Sequence, residues 1–249
     1  MMVNGALKTY FARLVINSLK SPAWYAGGLG FMGGFMGLVG AYFAKVPFSF
    51  WFPMVYLMFA FSFAGGLARS MAIGAAAFYY ITRHGGVKPI SLVIALTGAL
   101  LTVQLVFSPL FTGIIAAVYT MANKPVNVFN PLLLAASILL TAILMTTLSL
   151  TMGLLLTKKS ILQFSNFIPM IPIIFYFISL AIPPSVQSYN PFSAILVLLS
   201  ASLSASASST EILTPILSVL LSSFAFMFVS VYLMRHLREV NIYDAVTSM

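Results

Sequence analysis

Charged residues are scarce in this sequence, and acidic residues are almost absent. Only 6% of its 249 residues are charged, whereas a soluble domain usually carries about 25%. The acids number three, namely Glu211, Glu239 and Asp244. Cysteine is absent, which excludes disulfides and thiolate metal sites. Water therefore cannot be the solvent for most of the surface of this chain.

Several catalytic and nucleotide-binding motifs are also missing. The chain has no GxxxxGK[ST] loop, no HExxH and no GxSxG, so the sequence supports neither Walker-type ATP binding nor hydrolytic chemistry. Acid-base catalysis and proton relays need titratable groups at membrane depth, and the long apolar runs contain none. We expect no catalytic residue, no bound metal and no cofactor in this chain, which by itself is not an enzyme.

Long apolar runs make up most of the chain, which is 61% hydrophobic. A helix needs about 20 apolar residues to cross a bilayer. The sequence predicts an all-α integral membrane protein with one transmembrane domain over residues 1–249. The predicted spans are six transmembrane helices at residues 24–44, 50–68, 90–121, 129–156, 161–182 and 212–234.

Three further segments complete the prediction. Residues 1–21 form an N-terminal interfacial helix with a polar and an apolar side. Residues 69–89 form a cytoplasmic loop containing a helix that ends at Gly85 and Gly86. Residues 190–210 form a short outer re-entrant helix or connector before the last span, because the apolar stretch there is too short to cross.

Glycine pairs are concentrated in the first predicted span. Gly30 with Gly34, and Gly33 with Gly37, have the GxxxG spacing that lets another helix approach closely. We therefore predict contact between this span and a neighbouring helix, in the same chain or in another.

Cations lie beside the spans with a strong bias to one side. Ten lie next to predicted inner ends, whereas two, Lys45 and Lys124, lie in predicted outer turns. The positive-inside rule then places both termini in the cytoplasm and the protein in the cell membrane as a multi-pass protein. The net charge of +9 does not indicate nucleic acid, because the cations are scattered singly.

Two short segments, read together with the order of spans, resemble a known family. Residues 80–91, Tyr-Ile-Thr-Arg-His-Gly-Gly-Val-Lys-Pro-Ile-Ser, look like the inner segment of that family before its third span. Asn190-Pro191-Phe192 is similar to the Asn-Pro that often follows the fifth span. The chain thus resembles permease subunits of the type-two ABC exporter family over nearly its whole length. It departs from the pattern because members often carry a Glu before the Pro-Ile-Ser, and this loop contains no acid.

The resemblance implies a half-transporter with separate partners. These are cytoplasmic ABC ATPase subunits, which bind the ATP and Mg, a second permease subunit that is identical or related, and the lipid bilayer. Coupling to the ATPase is implied for Tyr79, Tyr80, Arg83, His84 and Lys88. A substrate path between the second and fifth spans at the dimer axis is implied for Phe59, Phe63, Asn166, Met170 and Phe175.

Other interpretations of the same residues stay open. The inner cations would equally serve as topology determinants alone, and the aromatic residues would serve as ordinary packing or lipid contacts. A membrane scaffold or assembly subunit without a transport path has the same composition, and a secondary carrier is a third alternative. Aromatic and Met-rich spans suit a lipid or another amphipathic substrate, but they suit any bilayer domain as well.

Overall fold

The computed structural model describes residues 2–156, 170–205 and 209–237. Every regular element in these ranges is a helix, which confirms the predicted all-α class. In chain order the helices are α1 Met2–Lys20, α2 Trp24–Phe43, α3 Phe48–Ile73, α4 Ala75–Arg83, α5 Pro89–Met121, α6 Pro131–Leu155, α7 Met170–Ala181, α8 Pro184–Gln187, α9 Pro191–Ser202 and α10 Ser209–Arg235.

Five of these helices are long and apolar enough to cross a membrane. They are α2, α3, α5, α6 and α10, so the chain has the make-up of a multi-pass membrane protein. The predicted span at 161–182 begins outside the described residues, and its described part is the 12-residue helix α7. The count of six spans therefore stays a prediction.

Helix α6 lies at the centre of the bundle. It packs against α3, α5, α9 and α10, and most of its hydroxyl side chains bond to its own backbone one turn earlier, as Thr141 does to the carbonyl of Ser137 at 2.7 Å. This bonding lets a polar side chain lie inside an apolar bundle without a lost hydrogen bond. Helix α3 supplies most of the largest buried rings of the core: Phe52, Tyr56, Phe59, Phe61 and Phe63.

Helix α3 is longer than the predicted second span. We predict its end at residue 68 because Arg69 follows, but α3 continues to Ile73 and the first break falls at Gly74. A long cationic side chain can remain in a helix and extend toward the headgroups. The helix therefore continues past the first cation into the predicted inner segment at residues 69–89, which also contains α4.

The predicted glycine stop after α4 is confirmed. Gly86 has a φ of 67°, which is the left-handed region that glycine adopts without steric cost. The chain reverses there, and the backbone N–H of Val87 donates to the carbonyl of Ile81 at 3.3 Å. A Cβ added at Gly85 would lie 2.6 Å from the same carbonyl oxygen. Both positions therefore require glycine.

The glycines of α2 bring it against α5 of the same chain. A Cβ added at Gly33 would lie 3.4 Å from the Ile114 side chain, and one added at Gly37 would lie 3.4 Å from the Val118 side chain. Gly30 and Gly34 meet only the backbone of their own helix, so one of the two GxxxG pairs makes the predicted contact. Helix α2 is wound as a π-helix over Trp24–Phe35 and Val39–Phe43.

Helix α9 is part of the bundle core. The side chain of Asn190 accepts hydrogen bonds from the backbone N–H groups of Phe192 and Ser193 at 3.0 and 3.2 Å, which starts the helix as an N-cap. One face is buried against α6 and α10, including Ala194, Ile195 and Leu198. At the other end of the chain, α1 packs against α5.

Candidate functional site

One end of the bundle carries several cations and is called the basic end here: Arg69, Arg83, Lys88 and Arg235 lie at or near helix ends there. Helix α4 lies at this end as a near continuation of α3. The backbone N–H of Gly74 bonds back to the carbonyl of Ser70 at 3.0 Å, and that of Phe78 bonds to the carbonyl of Gly74 at 3.2 Å. Because Phe78 is fully buried, α4 is held against the bundle.

The predicted coupling residues are brought together at the end of α4 and in the turn that follows it. Tyr80, Arg83, His84 and Lys88 are exposed, whereas Tyr79 is half-buried. The His84 ring lies 5.5 Å from the Tyr80 ring and 6.2 Å from the Tyr79 ring, measured between centroids. The surface they form combines aromatic rings with positive charge, which is a composition typical of protein contacts.

Arg83 also joins α4 to the end of α10. Its Nη2 donates to the backbone carbonyl of Arg235 at 3.2 Å. The last carbonyls of a helix lack intrahelical partners and carry a partial negative charge, so a guanidinium is a favourable partner. Next to this contact, the His236 ring lies against the Tyr232 ring, with 4.3 Å between their centroids and a tilt of 35° between their planes. The sequence places Arg83 and Arg235 on the same side of the membrane but contains no signal for their contact.

The residues predicted to line a path lie on different faces of the bundle. Phe59 and Phe63 face α2 and α5, since Phe63 lies 4.2 Å from Trp24 and Phe59 stacks on Phe111 at 4.2 Å. The Phe175 ring lies 5.4 Å from Phe192 of α9. Met170 begins α7, and Asn166 lies outside the described residues.

A cavity of about 620 Å³ lies between α2 and α3, with Phe59 and Phe63 in its wall. Trp24 and Phe31 of α2 add further aromatic surface, and Arg69 closes its basic end. Sequence reasoning missed this cavity. The signal in the sequence was the run of glycines in α2, which leaves space along one side of that helix.

Polar contacts between helices occur deep in the bundle as well. Thr146 of α6 donates to the amide oxygen of Gln104 at 3.2 Å, and both side chains are fully buried. The hydroxyl groups of Thr151 and Ser230 lie 2.9 Å apart and join α6 to α10. These contacts hold spans together. No group of three or more His, Cys, Asp or Glu that could hold a metal occurs within residues 2–156, 170–205 and 209–237.

Comparisons with protein-family models, curated proteins and solved structures find no match for this chain.

Proposed function

We propose that this chain is the membrane-spanning permease subunit of an ATP-driven ABC exporter. It would pair with a second permease subunit, identical or related, and bind cytoplasmic ATPase subunits that carry the ATP and Mg. In this proposal the basic end is cytoplasmic, six helices cross the membrane, α1 lies in the interface and α9 re-enters from outside. The order of elements and the segments at residues 80–91 and 190–192 support the proposal.

The observation that carries the proposal is the double attachment of α4. A subunit that lacks its own ATPase must receive force through an inner surface. Helix α4 is attached to α3 through Gly74 and to α10 through the hydrogen bond from Arg83 to the carbonyl of Arg235. A push on its exposed end would therefore reach two long helices directly, as coupling between ATPase and spans requires.

The coupling residues divide into two roles in this proposal. Tyr80, His84 and Lys88 are exposed and available to the ATPase. Arg83 is exposed too, but its guanidinium also holds the end of α10. Tyr79 is half-buried and packs against the core, so it anchors α4 more than it contacts a partner.

The substrate path remains assigned to the side of α3 that meets α7. These two helices pack together, with Phe61 lying 6.4 Å from Tyr176. Phe175 lies on this side, and we add Phe61 and Tyr176 as candidates. Phe59 and Phe63 lie instead along the cavity between α2 and α3, so in this proposal they do not line the substrate path.

The test is charge reversal at Arg83 in the complex with its ATPase. We expect Arg83→Glu to weaken assembly about tenfold or to leave ATP hydrolysis without export, because the variant loses both the contact with α10 and the basic surface. The matched control is Arg13→Glu, which reverses an exposed cation of α1, a helix that packs against α5. Assembly is measured by co-purification of the ATPase, and export by uptake into inverted vesicles.

The outcomes separate this function from its rivals. Normal assembly and export with both variants would show that Arg83 serves topology alone. Transport by the chain without any ATPase, driven by an ion gradient, would indicate a secondary carrier. Stable assembly with partner proteins but no transport in any combination would indicate a scaffold.

A further inference from the structure

We propose that the cavity between α2 and α3 binds one membrane lipid with an anionic headgroup, taken from the leaflet at the basic end. The headgroup lies at Arg69, Ser70 and Ser21, and one acyl chain lies along the aromatic wall. This inference goes beyond the exporter function, and it needs neither an ATPase nor a second permease subunit.

The depth of the cavity matches one leaflet. Helix α3 supplies lining residues from Phe59 to Ile73. Phe59 and Arg69 are separated by about 15 Å along the helix at about 1.5 Å per residue, and this is half of a hydrocarbon core of about 30 Å. The volume of about 620 Å³ lies within the range of about 300–1,000 Å³ typical of small-molecule sites.

The lining changes from polar to apolar along this depth. Ser21, Arg69 and Ser70 lie at the basic end, at the level where α1 joins α2. The deeper wall is formed by Phe31, Phe59 and Phe63, together with Met32. An amphiphile has the same order of groups, with a polar head at the interface and a chain toward the midplane.

Arg69 determines which headgroup fits. It is half-buried in the cavity wall, and a guanidinium presents five donors in a planar fork that matches phosphate oxygens bidentately. A headgroup with net negative charge is attracted to this guanidinium. A zwitterionic headgroup brings an additional cation that Arg69 repels, so the site favours anionic lipids.

Ser62 supplies a second, independent polar contact. Its Oγ is buried in the cavity wall and has no hydrogen-bond partner in the part of the chain that the structure describes. Serine in a helix commonly bonds to the carbonyl one turn earlier, as Ser70 does to Gly66 at 3.1 Å. Ser62 lies about 10 Å below Arg69 along α3, so it can donate to an ester carbonyl of the bound lipid.

Glycine keeps the cavity open. A Cβ added at Gly27, which lines the cavity, meets no atom within 4 Å. A Cβ at Gly66 would lie 2.5 Å from the Trp24 ring, so Trp24 lies directly against α3 at the edge of the cavity. A larger side chain at position 27 therefore fills the space without disturbing the helix contact.

Trp24 provides the measurement, because the chain contains two tryptophans and Trp51→Phe leaves Trp24 as the single reporter. The purified chain in mixed micelles is titrated with phosphatidylglycerol carrying brominated acyl chains, or with brominated phosphatidylcholine. We expect phosphatidylglycerol to quench Trp24 fluorescence at about tenfold lower lipid concentration, because its headgroup offers Arg69 a phosphate without an additional cation.

Variants test the two parts of the site separately. Arg69→Gln should remove the headgroup preference, and Arg69→Lys should keep part of it. Gly27→Leu should reduce quenching by both lipids, whereas the control Gly113→Leu, on an open face of α5, should change neither. Elution as a single folded species on gel filtration is required of each variant.

Three results would overturn the proposal. Equal quenching by the two lipids in the Trp51→Phe chain would leave only unselective lipid contact. Loss of the preference on adding inorganic phosphate at the same concentration as the lipid would show a site for a free anion. Unchanged quenching in Gly27→Leu would place the lipid outside the cavity. None of these measurements involves nucleotide or ATPase, so failure here leaves the exporter proposal standing, and the reverse also holds.

Discussion

Gly153 is a residue at which α6 comes very close to α3. A Cβ added there would lie 2.5 Å from the Cβ of Met71 and 2.8 Å from the carbonyl oxygen of Ala68. Neither atom is the far end of a flexible side chain, so the two helices would have to separate. Without a hydrophobic driving force between helices in lipid, such close backbone packing contributes much of the attraction.

We therefore expect Gly153→Ala to destabilise the protein by about 1–3 kcal/mol, the usual cost of overpacking. Thermal unfolding in detergent, followed by the loss of the monodisperse gel-filtration peak, measures the change. Gly113→Ala is the control, because its Cβ meets no atom within 4 Å and alanine favours a helix by about 0.5–1 kcal/mol over glycine. Equal melting temperatures for the two variants would contradict the close approach of α3 and α6.

At the scale of the helix, Asn-Pro pairs start two elements of the bundle in the same way. Asn130 precedes Pro131 at the start of α6 and accepts from the backbone N–H of Leu133 at 2.9 Å. Asn190 precedes Pro191 and caps α9. Capping explains why an Asn-Pro pair occurs at Asn190. The pair is a weak family marker, because an Asn cap followed by Pro stabilises the start of any helix.

Removing the cap should loosen α9 specifically. We expect Asn190→Ala to cost about 0.5–2 kcal/mol, because two backbone N–H groups of the first turn lose their acceptor. Hydrogen exchange followed by mass spectrometry should show faster exchange in peptides from α9 and little change in α6. Asn127→Ala, at an exposed loop position, is the comparison; equal exchange in the two variants would exclude a capping role.

For the whole molecule, the arrangement of cations predicts its orientation in the membrane. The two lysines at the end opposite the basic end, Lys45 and Lys124, line one cavity of about 360 Å³. The connectivity of α2, α3 and α5 thus places both lysines at the same end of the bundle. This agrees with the cation bias, in which these two lysines are the ones predicted to lie outside.

Because the chain has no native cysteine, single substitutions report orientation directly. Ser49→Cys and Asn127→Cys, both exposed and away from the basic end, should react with a membrane-impermeant thiol reagent added to intact cells. His84→Cys, exposed at the basic end, should react only after the cells are permeabilised. The opposite labelling pattern would invert the orientation and exclude coupling to a cytoplasmic ATPase.

Local features of the sequence were enough to predict the class, the approximate spans and the glycine stop of α4. The length of an apolar run indicates a membrane helix, because the thickness of the bilayer fixes how many residues are needed to cross it. Glycine at position 86 indicates a turn, because glycine can adopt a positive φ. Helix α3 extends five residues past the predicted end of the second span at residue 68, to Ile73. A charge reports contact with the headgroups and carries no information about where helical hydrogen bonding ends.

The sequence by itself determined that this chain is an all-α membrane protein, since hydrophobicity and chain geometry act along each segment alone. Only the tertiary structure decided which faces meet: Phe59 and Phe63 toward α2, Phe175 toward α9, and Arg83 at the end of α10. In a membrane helix the face toward lipid and the face toward the bundle are both apolar, so periodicity does not distinguish them. Their pairing depends on the fit of shapes, of which Gly153 against Met71 is one instance.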